Sequence, residues 1–384
     1  MLVKQATFAQ TPHTADLAPL AAIDPQLVLV FGSVAALTAT GMLGRLLEAF
    51  PSASLAGCTT AGEIGDSGVT DGQLVVTALH FDHPGFEVAT TRLTGMDDSA
   101  AAGLRLARQL DRAGLHDVLV FGQGVHINGS ALIEGFRRGL PPQVMLSGGL
   151  AGDAGAFRQT FTLSGAEVSS DQIVAVGFHA PQLVLRHGSF HGWQPFGPAR
   201  KVTRAAGNVL YELDGSPALE VYKRYLGEYA KDLPGSGLLF PFEMLGADRH
   251  ALGLIRTILG VDEAHGSLIL AGDIDENGYL KLMHASTDSL VDGARDAALA
   301  VGVTAGDAGG SGLALMVSCV GRKLVMGPRV DEEVEAVSEV FGAGTQMAGF
   351  YSNGEISPSL QHGGFCDLHN QTMTITHLAE RSLA

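Results

Sequence analysis

An eight-residue pattern, G-x-x-(S/T)-x-G-E-I, occurs twice in this chain of 384 residues and constrains its fold more than any other feature. It stands at Gly57 to Ile64 as GCTTAGEI and at Gly349 to Ile356 as GFYSNGEI. Each copy follows an apolar strand candidate and a helix candidate, so the repeated unit is strand, helix, strand and glycine-rich turn. Internal self-similarity of this kind predicts a duplicated fold.

Two fainter copies extend the pattern. The third has a strand candidate at Val118 to Gly122, a helix candidate around Ser130 to Leu140, and a turn that ends in G-D at Val144 to Asp153. The fourth is GSLILAGDI at Gly266 to Ile274, which suggests four related units in two pairs. The sequence therefore predicts an α/β (mixed α+β) protein of two related domains, built from duplicated strand-helix-strand units in mixed β-sheets covered by helices.

The predicted division of the chain is a lead-in at residues 1–25, an N-terminal domain at 26–198 and a C-terminal domain at 199–384. The boundary follows HGSFHGWQPFGP, a stretch rich in glycine, proline and aromatic residues. Because 46% of the residues are hydrophobic, a chain of this length can bury a large core.

Charge and cysteine content exclude several classes of protein. The formal charge of −16 argues against a nucleic-acid or anionic-membrane partner, since both attract basic surfaces. Three cysteines are too few for a disulfide framework. No secretory leader pattern opens the sequence, and no apolar run reaches the roughly 18 to 20 residues that a membrane span needs. A cytoplasmic protein is the expectation.

Signatures of catalysis are missing from the sequence. It contains no G-x-x-x-x-G-K-(S/T) phosphate loop, no H-E-x-x-H zinc pair and no G-x-S-x-G nucleophile elbow. Cys366 and His369 have the spacing of half a zinc site, but no second pair completes it. An enzyme is therefore the weakest of the functional hypotheses.

The glycine-rich turns are the candidate ligand-binding elements, because glycine lets backbone bend tightly or approach a ligand closely. The candidate residues are Gly57, Thr60, Gly62, Glu63, Gly349, Tyr351, Ser352, Asn353, Gly354 and Glu355. Glu63 and Glu355 could face each other across a pseudo-twofold axis and hold a cationic or amino-acid-like ligand. Alternatively, each carboxylate accepts hydrogen bonds from the amides of its own turn.

Taken in order, GCTTAGEI, SGGLAGD, WQPFGP, SCVGRKLVMGPR and GFYSNGEI followed by LHNQT resemble the FIST family, with N-terminal and C-terminal FIST domains covering nearly the whole chain. The resemblance implies an intracellular sensory module that binds a small ligand and reports to a signalling partner. The chain is also similar to the NosP type, which implies haem b, sensing of nitric oxide and regulation of a histidine kinase in a two-component system. A homo-oligomer is compatible with this picture.

If haem is bound, His369 is the first candidate for its axial ligand, and His191, beside Trp193, is the second. His369 could instead fix the corner at Asn370 by hydrogen bonds, and His191 could be an exposed linker residue. The competing hypotheses are a metal-free FIST sensor of amino acids or another small metabolite, and an uncharacterised enzyme. Absorption spectra recorded with and without nitric oxide would separate the first hypothesis from the others.

Overall fold

The computed structural model describes residues 1–303, 312–358 and 366–381. Three of the sheets formed by these residues share one design, which we call a unit, and a further sheet is inserted into the third unit. The prediction of mixed sheets covered by helices is confirmed.

Unit 1 consists of an edge strand, two parallel strands joined through helices, a short hairpin and a returning strand. Its elements are β1 (Leu2–Phe8), α1 (Thr14–Ala21), β2 (Leu27–Gly32), α2 (Val34–Leu37), α3 (Met42–Ala49), β3 (Ser54–Thr59), β4 (Glu63–Gly65), β5 (Gly68–Thr70) and β6 (Leu74–His80). Strand β2 runs parallel to β3 and antiparallel to β6. Because β1 pairs with β6 along its whole length, the predicted lead-in is an integral part of this unit.

Unit 2 repeats this order and confirms the third copy of the sequence pattern. Its elements are β7 (Phe86–Arg92), α4 (Ser99–Gln109), β8 (Asp117–Gly122), α5 (Gly129–Gly139), β9 (Met145–Leu150), β10 (Thr162–Ser164), β11 (Glu167–Ser169) and β12 (Gln172–Phe178). Strands β8 and β9 are parallel, and β12 returns antiparallel between β8 and β7.

A long insertion follows β13 (Leu183–Phe190), the edge strand of unit 3. Its elements are β14 (Gln194–Pro195), β15 (Arg200–Ala206), β16 (Val209–Leu213), β17 (Ser216–Pro217), α6 (Ala218–Leu226), β18 (Phe242–Leu245), β19 (Ala251–Arg256), β20 (Ile258–Asp262), β21 (Ser267–Leu270) and β22 (Tyr279–His284). We call this element the inserted sheet. The proposed fourth copy of the pattern is wrong, because β21 lies between two antiparallel neighbours, β16 and β20, and has no parallel partner there.

Unit 3 resumes after the inserted sheet. Its remaining elements are α7 (Thr287–Ala300), β23 (Gly312–Cys319), α8 (Val320–Met326), α9 (Asp331–Phe341), β24 (Thr345–Ser352), β25 (Gly354–Pro358), β26 (Cys366–His369) and β27 (Met373–Glu380). Strand β27 lies between β23 and β13. Strand β13, which the sequence analysis assigned to the end of the N-terminal domain, therefore belongs to the same sheet as the last strand of the chain.

The three units exchange strands in a cycle. Strand β4 of unit 1 pairs with β24 of unit 3, β10 of unit 2 pairs with β3 of unit 1, and β25 of unit 3 pairs with β9 of unit 2. Unit 1 thus adds a strand to the sheet of unit 3, unit 2 adds one to the sheet of unit 1, and unit 3 adds one to the sheet of unit 2. The relation between the motif copies is therefore a pseudo-threefold one, and the pseudo-twofold arrangement considered for Glu63 and Glu355 is wrong.

Three phenylalanine rings from the three units meet in the central core. The centroid of Phe31 lies 4.9 Å from that of Phe350 and 5.6 Å from that of Phe121. Phe31 and Phe121 occupy equivalent places on β2 and β8, where unit 3 has the smaller Val317. Because Phe350 on the neighbouring strand β24 supplies the third ring, the core stays filled despite the exchange of a large residue for a small one.

Each unit also has a glycine where its two parallel strands approach most closely. Gly57, Gly148 and Gly349 face the backbone of β2, β8 and β23, respectively. A Cβ atom on Gly349 would lie 1.8 Å from the carbonyl oxygen of Met316, and one on Gly57 would lie 1.8 Å from that of Val30. The first glycine of the motif is therefore required by strand packing.

Candidate functional site

The three motif turns form a ring of backbone hydrogen bonds. In each turn, an N–H donates to a carbonyl oxygen of the preceding unit in the cycle. The bonds are Ala61 N to Tyr351 O at 2.8 Å, Gly152 N to Thr59 O at 2.8 Å, and Asn353 N to Leu150 O at 3.1 Å. These bonds occupy backbone groups that a ligand would otherwise use, so the ring serves to join the units.

The two motif glutamates are fully buried, and each is bonded within its own unit. Glu63 accepts hydrogen bonds from the Thr60 hydroxyl at 2.5 Å and from the N–H of Gln73 at 2.9 Å. Glu355 accepts from the Ser352 hydroxyl at 2.7 Å and from the N–H of Thr372 at 3.2 Å. In both cases the second donor is the N–H of the residue just before the returning strand, Gln73 before β6 and Thr372 before β27. Each carboxylate therefore connects its turn to the start of that strand.

Burial raises the pKa of Glu355 to about 8, although the Ser352 hydroxyl and the Thr372 amide act against this shift. A folded-state pKa above the unfolded value stabilises the protein below the unfolded pKa, and this contribution is lost as pH rises through about 8. We expect Glu355→Gln, which mimics the protonated side chain, to flatten the fall in unfolding free energy between about pH 4.5 and 8. Urea unfolding at a series of pH values measures this, and an unchanged slope would contradict it.

Tyr351 belongs to a buried charge network, which we call the Arg322 network. Its hydroxyl donates to Glu333 at 2.5 Å, and Glu333 also accepts from the Arg322 guanidinium at 2.7 Å. Ser318 donates to the same carboxylate at 3.0 Å. Arg322 and Glu333 have no exposed side-chain surface, so the pair joins α8 to α9 in the interior of unit 3.

The remaining turn residues also have structural partners. Gly62 has a φ of 138°, and a Cβ atom there would lie 2.3 Å from the Lys323 ammonium nitrogen. Gly354 packs against Leu150, while the Asn353 side chain donates to the carbonyl of Gly124 at 3.1 Å. Binding of a ligand by the turns stays a prediction.

The two candidate haem ligands lie where unit 3 meets the inserted sheet, with His369 buried and His191 half-buried. His369 is 3% exposed, and its Nε2 lies 3.2 Å from the Ser357 carbonyl oxygen. Nδ1 of His191 accepts from the Trp193 N–H at 3.0 Å, and burial lowers the pKa of His191 to about 4. Three clefts of about 480 Å³ open on the described surface, and neither histidine lines any of them. Coordination of haem by either histidine stays a prediction.

The contact between the inserted sheet and unit 3, which we call the junction, centres on a tight turn between β26 and β27. The Trp193 indole donates to the Gln371 carbonyl at 3.0 Å, and the Gln371 side chain donates to the Leu238 carbonyl at 2.9 Å. Gln371 has a φ of 59°, a left-handed conformation that is unusual outside glycine. Arg256 of the inserted sheet donates to the Leu368 carbonyl at 3.1 Å.

Two buried side chains in this turn have incomplete hydrogen bonding. Asn370 is 1% exposed and Gln371 is fully buried, yet the side-chain carbonyl oxygen of each lacks a hydrogen-bond donor among the described residues. Buried polar atoms are normally paired, since an unpaired one costs about 1 to 3 kcal/mol. Such atoms mark a place where a ligand can supply the missing donors.

Comparison with known families identifies the chain. A model of the FIST N domain matches residues 26–216, and a model of the FIST C domain matches residues 218–358. The chain belongs to the FIST family. FIST domains are associated with sensory signal transduction and the binding of small ligands, which confirms the coarser part of the functional prediction. The predictions of haem b, nitric oxide and a histidine kinase partner stay predictions.

Relatives of this FIST protein include uncharacterized proteins. One from Mycobacterium tuberculosis is 26% identical over 97% of this chain and 96% of its own length. One from Methanocaldococcus jannaschii is 38% identical over 23% of this chain, and the match spans 17% of that protein. Among solved structures, cyanuric acid hydrolase from A. caulinodans aligns over 100% of the chain and 99% of its own, with 10% identity and a TM-score of 0.36.

Sequence reasoning on this FIST protein pointed to the motif turns and, through His191, Trp193 and His369, to the neighbourhood of the junction, but it did not identify the buried amides of Asn370 and Gln371 as a site. Asn370 and Gln371 lie in the string LHNQT, whose only local signal is two adjacent amide residues after an apolar strand. Arg256 has no local signal, because its contact with Leu368 spans 112 residues of sequence. Within the described ranges, no helix is long and apolar enough to cross a membrane.

Proposed function

We propose that this FIST protein senses a small polar molecule without a metal, and that the molecule binds at the junction and changes the seating of the inserted sheet on unit 3. The observation that carries the proposal is the pair of buried side-chain carbonyl oxygens on Asn370 and Gln371, for which the described part of the chain supplies no donor. A ligand with N–H or O–H groups, such as an amino acid or another metabolite, supplies them. Family membership supports a sensory role in general terms.

The coupling follows from the closed packing of the junction. Trp193, Asn370 and Gln371 are at most 3% exposed, so a ligand reaches the amides only when the inserted sheet moves relative to unit 3. A ligand shifts a conformational equilibrium by its difference in affinity for the two states. If a molecule binds only the opened junction, a rise in its concentration increases the population of the opened state. The position of the inserted sheet then reports the concentration of the molecule.

Trp193, the single tryptophan of the chain, reports on this change. We expect one member of a panel of amino acids and small metabolites to shift its fluorescence saturably. Asn370→Leu should weaken that response about tenfold, which corresponds to one lost hydrogen bond in a buried site. It should change the unfolding free energy by less than about 1 kcal/mol, because it removes a group that is only partly satisfied.

The matched control is Gln109→Leu, which changes an exposed amide at the end of α4. It should leave the fluorescence response unchanged. A panel that produces no saturable response in the wild-type protein would overturn the proposal. An equal response in Asn370→Leu and the wild type would do the same.

A further inference from the structure

The chain passes from unit 2 to unit 3 through residues 179–182, a short connection between β12 and β13 that we call the linker. At its start, the N–H groups of His179 and Ala180 donate to the Gly85 carbonyl of unit 2 at 2.8 and 3.2 Å. At its end, the carbonyl of the last linker residue accepts from the Arg381 N–H at 2.9 Å, just after β27 of unit 3. The linker is therefore attached to both units.

The side chain of His116, which directly precedes β8 of unit 2, lies beside the linker. Its Nδ1 lies 2.8 Å from Oδ2 of Asp117, and its Nε2 lies 3.2 Å from the carbonyl oxygen of Ala180. The carboxylate and the carbonyl only accept hydrogen bonds, whereas a neutral imidazole has a single N–H. The two bonds therefore coexist only when the ring is protonated, and deprotonation releases one of them.

Asp117 extends this contact to unit 3. Its Oδ1 accepts from Nε2 of His187 on β13 at 2.7 Å, and the Asp117 side chain is only 9% exposed. Nδ1 of His187 lies 3.3 Å from the hydroxyl oxygen of Thr376 on β27. A hydroxyl group both donates and accepts, so His187 can keep both bonds with or without a second ring proton. The dependence on protonation therefore falls on His116.

His179 in the linker has the same geometry as His116. Its Nδ1 lies 3.2 Å from the Ala113 carbonyl oxygen, and its Nε2 lies 3.0 Å from Oε1 of Glu87 on β7. Both neighbours are again acceptors, so both bonds need a protonated ring. The start of the linker is thus held on unit 2 by two histidines, each placed between two acceptors.

Other ionisable groups surround the linker, but they have their own partners. On the neighbouring segments they are the Met1 ammonium, Asp82, His83, Asp111, Arg186 and Glu380. In the described part of the chain, none of them forms a hydrogen bond or an ion pair with the ring of His116. Asp117 is therefore the charge that controls the titration of His116.

The hydrogen bond to Asp117 raises the pKa of His116 above its ordinary value of 6.5, while partial burial acts in the opposite direction. A folded-state pKa above the unfolded value stabilises the fold below about pH 6.5. This contribution is lost as pH rises through the folded value. The loss therefore begins near neutral pH, where histidine is the side chain that ordinarily titrates.

We propose that His116 and Asp117 form a proton-dependent clasp, which controls how tightly the linker and β13 of unit 3 are held on unit 2. With His116 protonated, the Asp117 carboxylate binds both His116 and His187, and His116 also binds the Ala180 carbonyl. Loss of the proton releases one of the two His116 bonds and loosens the linker. The clasp gives this FIST protein a response to pH through residues that the junction does not share.

Hydrogen–deuterium exchange of the full chain, followed by mass spectrometry, tests the clasp. We expect peptides covering residues 179–190 to lose protection as pH rises from about 6 to about 8.5, after correction for the intrinsic exchange rate. The expected loss is about threefold to tenfold, the effect of one lost hydrogen bond. His116→Gln keeps an N–H donor but does not titrate, so it should abolish the dependence on pH.

Asp117→Asn is the second variant, and it keeps the test decisive if His116→Gln does not fold. It removes the carboxylate charge at constant size, so the pKa of His116 should fall and protection should be lost at a lower pH. His265→Gln is the matched control. His265 also lies 2.7 Å from a carboxylate oxygen, that of Asp262, but its side chain is 71% exposed. This variant should behave as the wild type.

Protection of residues 179–190 that is the same at all pH values in the wild type would overturn the proposal. An equal dependence on pH in the wild type and in His116→Gln would do so as well, as would an NMR titration in which His116 loses its proton below pH 6.5. The measured peptides include neither Glu355 nor the buried amides of the junction. The outcome is therefore separate from the predictions made for those residues.

Discussion

Gly349→Ala should lower the free energy of unfolding by at least about 3 kcal/mol, the upper part of the range for overpacking a core. The new Cβ would lie 1.8 Å from the carbonyl oxygen of Met316, a backbone atom that cannot rotate away. Relief requires separating β23 from β24 beside the central phenylalanine cluster. Chemical denaturation of the purified variant measures the loss, and poor recovery of folded protein would point the same way.

Gly44→Ala is the control for this substitution. Gly44 is exposed within α3, and a Cβ there meets nothing within 4 Å. Alanine is favoured over glycine inside a helix, so this variant should be more stable by up to about 1 kcal/mol. The same chemical change then has opposite effects at two positions. Equal stability of the wild type and Gly349→Ala would contradict the packing role assigned to the motif glycine.

Glu333→Gln should cost about 3 to 5 kcal/mol of unfolding free energy, because it leaves the buried guanidinium of Arg322 without a counter-charge. The neutral amide keeps the size of the side chain and still accepts from Tyr351, so the loss reports on charge. Urea denaturation near neutral pH measures it. A loss of this size is therefore expected from a single neutralised charge in the interior of unit 3.

Glu339→Gln provides the comparison on the same helix. Glu339 pairs with Arg295 at 3.1 Å, but its side chain is 70% exposed. Exposed ion pairs contribute at most about 1 kcal/mol, so this variant should remain close to the wild type. Similar losses in the two variants would show that helix propensity, and not the buried charge, controls the result.

The repeated unit was predictable because its determinants are local. The motif places Thr60 three residues before Glu63, and Ser352 three residues before Glu355, so each hydroxyl reaches its carboxylate within one turn. The alternation of apolar strands and helices also follows from local patterning. These short-range relations are visible in the sequence without knowledge of the partner units.

The number of units and their exchange of strands were not predictable in this way. In unit 2, Thr162 stands at the position of the motif glutamate. Glu63 and Glu355 directly follow a glycine of the turn, whereas a longer loop separates Thr162 from the turn of unit 2. The inserted sheet and α7 separate β13 from β23, the next strand of unit 3, by more than a hundred residues. Pairing between distant strands depends on register and burial, which no local pattern encodes.

The sequence by itself determined the FIST family, the strand-helix-strand unit and the need for glycine at the turns, because residues close in the chain specify these features. Only the tertiary structure decided that the turns join three units, that Arg322 and Glu333 form a buried pair, and that the side-chain oxygens of Asn370 and Gln371 have no donor within the described ranges. A hydrogen bond is satisfied or missing according to which distant residue lies within about 3 Å. That distance is set when the whole chain folds.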